Sequence, residues 1–225
     1  MYILGLDTSL NCLNIGLGKD DKLISELSLN NSRQHTDKIY KHIESVLNYG
    51  GVTIKDLDCF AVVVGPGSFT GIRIAVTAVK ALAYTLGKDV VALSSLDLLA
   101  LNVSHAEGNI VVSLIDGKRN NLYFAKYDKA ENNFKRISEE ILIPIKEVGE
   151  RLKDADIILG DGVEIFKKLF PNLENTFNFL DKDSWSIKPK HMIELAFNHW
   201  SIKNRENIFD LKPVYIYPKE CTIKR

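Results

Sequence analysis

Hydrophobic and polar residues alternate along the first thirty positions and then change to a helical spacing. The alternation is clearest at Leu13, Ile15 and Leu17, which share one face of a predicted strand because successive side chains in a strand point to opposite faces. Short turns separate the first three strands, which is typical of an antiparallel meander. The elements predicted in this half are strands at 2–7, 11–17 and 22–29, a helix at 36–49, a strand at 59–64, a helix at 69–86, a strand at 90–93 and a helix at 94–102.

The second half repeats the same order of elements. Strands are predicted at 109–115, 121–127 and 134–143, followed by a helix at 144–152, a strand at 156–159 and a helix at 163–170. Repetition of a supersecondary order is informative about fold even without residue identity. The order β-β-β-α-β-α is that of a ribonuclease-H-like unit, and two such units in tandem predict an α/β fold of the actin-like ATPase superfamily. We expect an N-terminal lobe at 1–100 and a C-terminal lobe at 101–225, the latter with a final helix at 191–204 and an extended tail.

Composition narrows the class of protein without identifying it. Hydrophobic residues make up 45% of the 225 positions, enough for a packed core, and the formal net charge is zero, which lowers the expectation of a nucleic-acid-binding surface. The three cysteines have no C-x-x-C spacing, so a zinc site or a disulfide framework is not expected. The first residues lack the basic start of a signal peptide, and no apolar run reaches the length of a membrane helix. We therefore expect a cytoplasmic protein.

Two turns place a carboxylate directly after the first strand of each half. They read DTS at 7–9 and DGK at 116–118. In the predicted fold, nucleotide phosphates lie between these turns, where Asp7 and Asp116 are placed to hold a hydrated Mg²⁺ against phosphate oxygens. The alternative is that Asp, Ser and Gly occur here only because they form turns readily. The residues alone leave both interpretations open.

The segment GPGSFTGIR at 65–73 joins a buried strand to the long helix at 69–86. Ser68 or Thr70 can cap that helix, and the three glycines allow either another backbone or an anion to approach closely. No lysine of the P-loop kind follows, so phosphate binding has little support from the motif.

The helix at 69–86 carries apolar residues on two faces. One stripe suits packing on its own sheet, and a second stripe of small residues would let another helix approach closely. Either the helix is sandwiched inside its own domain, or the second stripe faces another subunit, with which two helices of this chain would form a four-helix bundle. The first stripe is Ile72, Val76, Val79, Ala83 and Leu86, and the second is Gly71, Ala75, Ala78, Ala81, Leu82 and Thr85.

These motifs resemble those of the TsaB family of bacterial proteins, also called YeaZ. The matching segments are ILGLDTS at 3–9, RQH at 33–35, VGPGSFTGIR at 64–73 and SSLDLLA at 94–100, with weaker matches at 116–123 and 159–164. The resemblance covers nearly the whole chain. The chain departs from the family pattern D-A-R-x-G-E-V-Y at 116–123, where it reads DGKRNNLY, and Tyr217 stands where the family tail has an arginine. Roles of those Arg and Glu side chains therefore do not carry over.

The resemblance implies an actin-like fold whose nucleotide chemistry is lost, in a partner of the enzyme TsaD. TsaD transfers a threonylcarbamoyl group to adenosine 37 of tRNAs that read ANN codons, and the ATPase TsaE joins the complex, so that contact with tRNA is indirect. No cofactor is expected, although a nucleotide at the junction with TsaD stays open. The resemblance places the surface for TsaD, or for a second copy of the chain, on the helices at 36–49 and 69–86. The expected interface residues are His35, Ile39, Ile43, Phe69, Gly71, Arg73, Ala75, Ala78 and Leu82.

Candidate catalytic groups are few. A TsaD-like enzyme would need an H-x-x-x-H pair, which puts two imidazoles on one helix face, and none of the five histidines has that spacing. Ser68 lies in a glycine-rich turn with no histidine near it in sequence. We therefore expect a non-enzymatic partner that binds and stabilises TsaD. The alternative is a stand-alone ATPase or phosphotransferase of the same fold that uses Asp7 and Asp116.

Overall fold

The computed structural model describes residues 1–30, 38–103, 108–130 and 133–216. The chain divides into two units. The first contains Met1–Leu98 and Ile187–Val214, and the second contains Leu99–Ser186 together with Tyr215 and Ile216. Each unit has its own sheet and its own buried apolar cluster.

The first unit is built on a five-stranded sheet. Its strands are β1 (Tyr2–Asp7), β2 (Cys12–Lys19), β3 (Lys22–Asn30), β4 (Cys59–Gly65) and β5 (Asp89–Ser94), and its first helices are α1 (Ile39–Tyr49), α2 (Phe69–Leu86) and α3 (Ser95–Ala100). The sheet order is β3-β2-β1-β4-β5, with an antiparallel meander of β1, β2 and β3 and with β4 and β5 parallel to β1. This is the arrangement expected of a ribonuclease-H-like unit.

The second unit repeats this order with shorter helices. Its strands are β6 (Ile110–Asp116), β7 (Asn121–Ala130), β8 (Asn133–Arg136), β9 (Ile141–Pro144) and β10 (Ile157–Leu159), and its helices are α4 (Ile145–Arg151) and α5 (Gly162–Leu169). β10 lies parallel to β6, β7 pairs antiparallel with β6, and β8 and β9 both pair with β7. The predicted strand at 134–143 is therefore two strands. The predicted fold class, tandem ribonuclease-H-like units of the actin-like superfamily, is confirmed.

The final helix, α6 (Pro189–Ser201), packs on the sheet of the first unit, whereas we expected it in the C-terminal lobe. It covers the sheet face opposite α1 and α2. On β2, Gly16 and Gly18 face α6, whereas Ile15 and Leu17 face the core that contains α1 and α2. A Cβ on Gly18 would lie 2.2 Å from Cγ2 of Ile193, and one on Gly16 would lie 3.0 Å from Cβ of Pro189. The absence of side chains at these two positions is what admits the helix.

The long helix α2 forms the centre of the first unit's core. Ile72, Ala75, Val79 and Ala83 are buried, and the helix packs chiefly on β4 with further contacts to β1 and β5. Within the described ranges it is also the one helix that is long and apolar enough to cross a membrane, on length and composition alone. Part of the helix is buried against its own sheet, and the buried residues are Gly71, Ile72, Ala75, Val76, Ala78, Val79 and Ala83. Gly87, in the left-handed region at φ 64°, ends the helix as predicted.

Candidate functional site

The turn after β1 is closed and fully buried. Asp7, Thr8 and Ser9 have no exposed surface, and both carboxylate oxygens of Asp7 accept hydrogen bonds. One bond comes from the backbone N–H of Ser9 at 2.7 Å and the other from Nδ2 of Asn14 at 2.9 Å. Burial raises the pKa of Asp7, since desolvation outweighs these hydrogen bonds. In this conformation the Asp7 carboxylate therefore has no surface open to a hydrated Mg²⁺.

The first turn of α2 sits directly on this closed turn. Thr8 Oγ1 donates to the carbonyl of Gly71 at 2.6 Å, and the backbone N–H of Ser68 donates to the carbonyl of Ser9 at 2.7 Å. A Cβ on Gly71 would lie 1.9 Å from the Thr8 carbonyl oxygen, and one on Gly67 would lie 2.3 Å from that of Ser9. The glycines of the motif thus admit another backbone. Ser68 Oγ also accepts from the backbone N–H of Gly71 at 3.2 Å, which makes Ser68 the helix cap.

The start of α3 is tied to the same junction. Ser95 Oγ is buried and donates to the carbonyl of Pro66, while Ser94 Oγ accepts from the backbone N–H groups of Leu96 and Asp97 and so caps α3. The segments ILGLDTS, GPGSFTGIR and SSLDLLA therefore meet in one hydrogen-bonded junction that fixes where α2 begins. Each segment stands out in the sequence, but their contact in space could not be predicted, because residues far apart in the chain contribute to it.

The corresponding turn of the second unit is held by its own side chains. Asp116 Oδ1 accepts from the backbone N–H of Lys118 at 2.8 Å, and Lys118 Nζ forms an ion pair with the same carboxylate. Asp161 Oδ1 accepts from the backbone N–H of Asp116 at 2.9 Å, and burial raises the pKa of Asp161. Residues 118–120 all lie at positive φ, between 52° and 63°. The Asp116 carboxylate is thus engaged locally, like that of Asp7.

The exposed side of α2 is a ridge of residues spaced four apart. The i, i+4 spacing places these side chains in one row along the helix. Small side chains occupy its middle, and the guanidinium of Arg73 lies 5.2 Å from the ring centroid of Phe69 at its first turn. The ridge consists of Phe69, Arg73, Thr77, Ala81 and Thr85.

A groove runs between this ridge and α1. Its volume is about 450 Å³. Ile39 of α1 and Ala78 of α2 are buried and form its floor, and Tyr40, Phe69 and Arg73 stand around it. Tyr40 and Phe69 are 54% and 53% exposed. Tyrosine and arginine are among the residues that most often dominate the energy of protein interfaces.

The face of α2 assigned to a partner from the sequence is corrected by these contacts. Gly71 packs on the turn after β1, and Ala75 is fully buried in the first unit's core, so neither presents a surface. Within the stripe of small residues, Gly71 and Ala75 instead allow α2 to lie close to its own sheet and turn, whereas Ala81 and Thr85 are exposed. Ile43 of α1 is likewise buried in this core.

The remaining residues of the expected interface fall into three groups. Phe69 and Arg73 are exposed on the ridge, and Leu82 is half-buried beside the core. Ile39 and Ala78 lie at the bottom of the groove. His35 lies outside the described residues.

No catalytic constellation is found in the part of the chain that the structure describes. The Ser68 hydroxyl caps α2 and has no histidine as a hydrogen-bond partner within those ranges. In the same ranges, no three His, Cys, Asp or Glu side chains lie close enough together to hold a metal ion.

Comparison with known proteins identifies the family. The family model described as "TsaD: tRNA N6-adenosine threonylcarbamoyltransferase" matches residues 23–182. A Bacillus subtilis protein named "tRNA threonylcarbamoyladenosine biosynthesis protein TsaB" is 30% identical over 183 residues, which cover 80% of each chain. The chain belongs to the TsaB family. The TsaB protein of Escherichia coli is 25% identical over 96% of this chain and 94% of its own length.

Solved structures of TsaB-like proteins share the fold. A Pseudomonas aeruginosa crystal structure, described as an uncharacterized protein with similarity to peptidase YEAZ, superposes with a TM-score of 0.83 at 24% identity. The match covers 96% of this chain and 99% of that one. A second structure, YeaZ from the same organism, gives a TM-score of 0.80 at 22% identity over the same shares of the two chains.

Proposed function

We propose that this chain is a non-enzymatic partner subunit in the biosynthesis of threonylcarbamoyladenosine in tRNA. It binds and stabilises TsaD, which carries out the transfer to adenosine 37. The observation that carries this proposal is membership of the TsaB family, whose curated members are named for that pathway. The match to the TsaD family model adds that the chain resembles the enzyme with which we pair it.

The closed turn after β1 supports a role without nucleotide chemistry. An actin-like ATPase needs a carboxylate whose oxygens can face a hydrated metal ion. Here both oxygens of Asp7 accept hydrogen bonds inside the unit, and the backbone of α2 lies against Thr8 and Ser9. Because the turn has no exposed surface, binding of a hydrated Mg²⁺ to Asp7 would require the turn and the start of α2 to move apart.

The α1–α2 surface is the proposed site for TsaD. A row of exposed side chains with small residues at its centre fits the groove of a facing helix, as ridges fit grooves in helix packing. Thr77 and Ala81 allow a close approach, while Tyr40, Phe69 and Arg73 offer larger contacts beside the groove. The same surface would serve self-association, so a second copy and TsaD would compete for it. Within this proposal the complex is cytoplasmic, TsaE joins it, and tRNA is contacted through TsaD.

The interface is tested with an arginine on the ridge. Thr77→Arg places a charge where a partner helix must approach, and we expect binding to TsaD to weaken at least tenfold, because a buried charge without a partner is costly. Ser201→Arg on α6 is the matched control, since Ser201 is also an exposed helical hydroxyl residue of the first unit. Affinity is measured by calorimetry and folding by circular dichroism. Wild-type affinity for Thr77→Arg would place the interface elsewhere.

The accessory role is tested by reconstitution with TsaD, TsaE and tRNA. We expect modification to require this chain together with TsaD. Transfer by this chain alone would refute the non-enzymatic role, and full TsaD activity without it would refute the accessory role. The ATPase alternative predicts that ATP and Mg²⁺ bind the isolated chain and that Asp7→Ala abolishes the binding.

A further inference from the structure

The chain that follows α6 crosses the first unit as residues 206–214, here called the strap, which includes a turn at 208–210. Both ends of the strap are hydrogen-bonded to the sheet. The backbone N–H of Glu206 donates to the carbonyl of Val90 on β5, and that of Val214 donates to the carbonyl of Val64 on β4, each at 2.8 Å. The strap is therefore part of the folded unit along its length.

Lys80 of α2 holds the middle of the strap. Its Nζ donates to the carbonyl oxygens of Phe209 at 3.1 Å and Leu211 at 3.2 Å. The Leu211 side chain is buried in the core of the first unit. A lysine that bonds two backbone carbonyls fixes the path of the chain between them, so the strap lies against the flank of α2 away from α1.

One aromatic side chain of the strap is fixed yet exposed. The backbone N–H of Phe209 donates to Oδ1 of Asn207 at 3.0 Å, and its ring meets that of Tyr84 edge-on, with centroids 6.0 Å apart. Phe209 is 72% exposed and Tyr84 is 67% exposed. A fixed aromatic pair loses little conformational entropy when a partner covers it, which favours binding.

A second groove lies between α2 and the strap. It also measures about 450 Å³, and its walls include Tyr84 and Pro213. Thr77 of the α2 ridge lines both this groove and the groove beside α1, so the two grooves adjoin at the ridge. The ridge thus has an open groove on each flank.

We propose that the strap-side groove is the second half of the surface that docks TsaD. This inference rests on the proposed function and names a further element of the same site. An apolar helix of TsaD that lies beside α1 and packs over the α2 ridge would also contact the Tyr84–Phe209 pair on the opposite flank of α2. Tyr84 and Pro213 in the groove wall, with the Phe209 ring against Tyr84, offer the apolar contact, while Lys80 is bonded to two carbonyls of the strap and Lys212 also lines the groove.

Phe209→Ala tests the contact directly. It removes the exposed ring and leaves the strap's backbone hydrogen bonds in place. We expect the dissociation constant for TsaD to rise about tenfold, as for a typical interface hot spot, with an unchanged midpoint of urea unfolding. Phe209 borders the strap-side groove through its ring contact with Tyr84, and Ile202→Ala is the control, since Ile202 is as exposed and lines neither groove. Wild-type affinity in Phe209→Ala, with binding lost in Thr77→Arg, would confine docking to the α1 side and overturn the inference.

Lys80→Met tests whether the strap must be held in place. We expect faster hydrogen exchange at the amides of residues 206–214 and an affinity lower by about fivefold, because the pair is no longer fixed before binding. Lys88→Met is the matched control, since Lys88 Nζ donates to the carbonyl of Lys55 away from the strap. Faster exchange with unchanged affinity would overturn the positioning role of Lys80. If the wild-type chain does not bind TsaD, the proposed function itself fails, and that result is distinct from both outcomes above.

Discussion

Replacing Gly71 with alanine has two opposing effects on the free energy of unfolding, one from helix propensity and one from a steric contact. In a helix, alanine is favoured over glycine by about 1 kcal/mol, so propensity alone predicts stabilisation. The contact opposes it, because the new Cβ would lie 1.9 Å from the Thr8 carbonyl oxygen, well below the 3.0 Å that real Cβ atoms keep. Overpacking costs about 1–3 kcal/mol, and losing the buried Thr8 Oγ1 bond to the Gly71 carbonyl costs about 1–3 kcal/mol more. The expected net loss in free energy of unfolding is about 3 kcal/mol.

The same substitution in α4 provides the control. Gly149 is also inside a helix, but a Cβ there would meet only Cδ1 of Leu173 at 3.8 Å, which is an ordinary contact. Gly149→Ala should therefore stabilise the second unit by up to about 1 kcal/mol. Urea unfolding followed by circular dichroism measures both changes, and Trp200 fluorescence in a Trp185→Phe background reports the first unit alone. Gly71→Ala as stable as the wild type would show that α2 does not sit on the turn after β1.

Three further predictions concern single side chains. Ser95→Ala should lower the free energy of unfolding by about 1–2 kcal/mol in urea titrations, since the Pro66 carbonyl loses its buried donor. Ser45→Ala, at an exposed site, is the control and should change the free energy of unfolding little. Burial raises the folded-state pKa of Asp7 above its unfolded value, so its contribution to stability is lost as the pH rises through the folded pKa. Asp7→Asn should therefore gain stability relative to the wild type as the pH rises above about 4, near the unfolded-state pKa, and a difference that stays constant with pH would contradict this. Arg119→Gly should raise the free energy of unfolding of the second unit by an amount on the order of 1 kcal/mol, seen as a higher urea midpoint, because Arg119 lies in the left-handed region.

The fold could be predicted because its main signals are local. Alternation at Leu13, Ile15 and Leu17 marks a strand with one face toward a core, and this core face is the one that α1 and α2 cover. The position of α6 could not be read in this way. Gly16 and Gly18 mark a sheet face that something approaches closely, but only the folded chain shows that a helix from near the C-terminus does so.

The candidate site was harder to predict because small residues on a helix are ambiguous. Gly71 and Ala75 permit close approach of any neighbour, and the pattern does not say whether that neighbour is the chain's own turn or another subunit. The contact with Thr8 decides it, and this contact joins residues that are distant in sequence. The i, i+4 row through Phe69 and Thr77 contains large, polar and small residues, so no hydrophobic periodicity marked it as a surface.

The same hydrogen bonds close the turn after β1 and fix the α2 ridge in place. The bonds from Thr8 and to Ser9 that bury the turn also fix the first turn of α2, where Phe69 and Arg73 project. A turn opened for a nucleotide would lose these bonds and leave the start of the helix unsupported. Within the proposed function, the closed turn supports the start of α2 and so makes the docking surface rigid. Contacts that are fixed before binding cost less entropy on association. Within the proposed function, the position that holds nucleotide phosphates in the expected actin-like arrangement is here a structural support for the surface that binds TsaD.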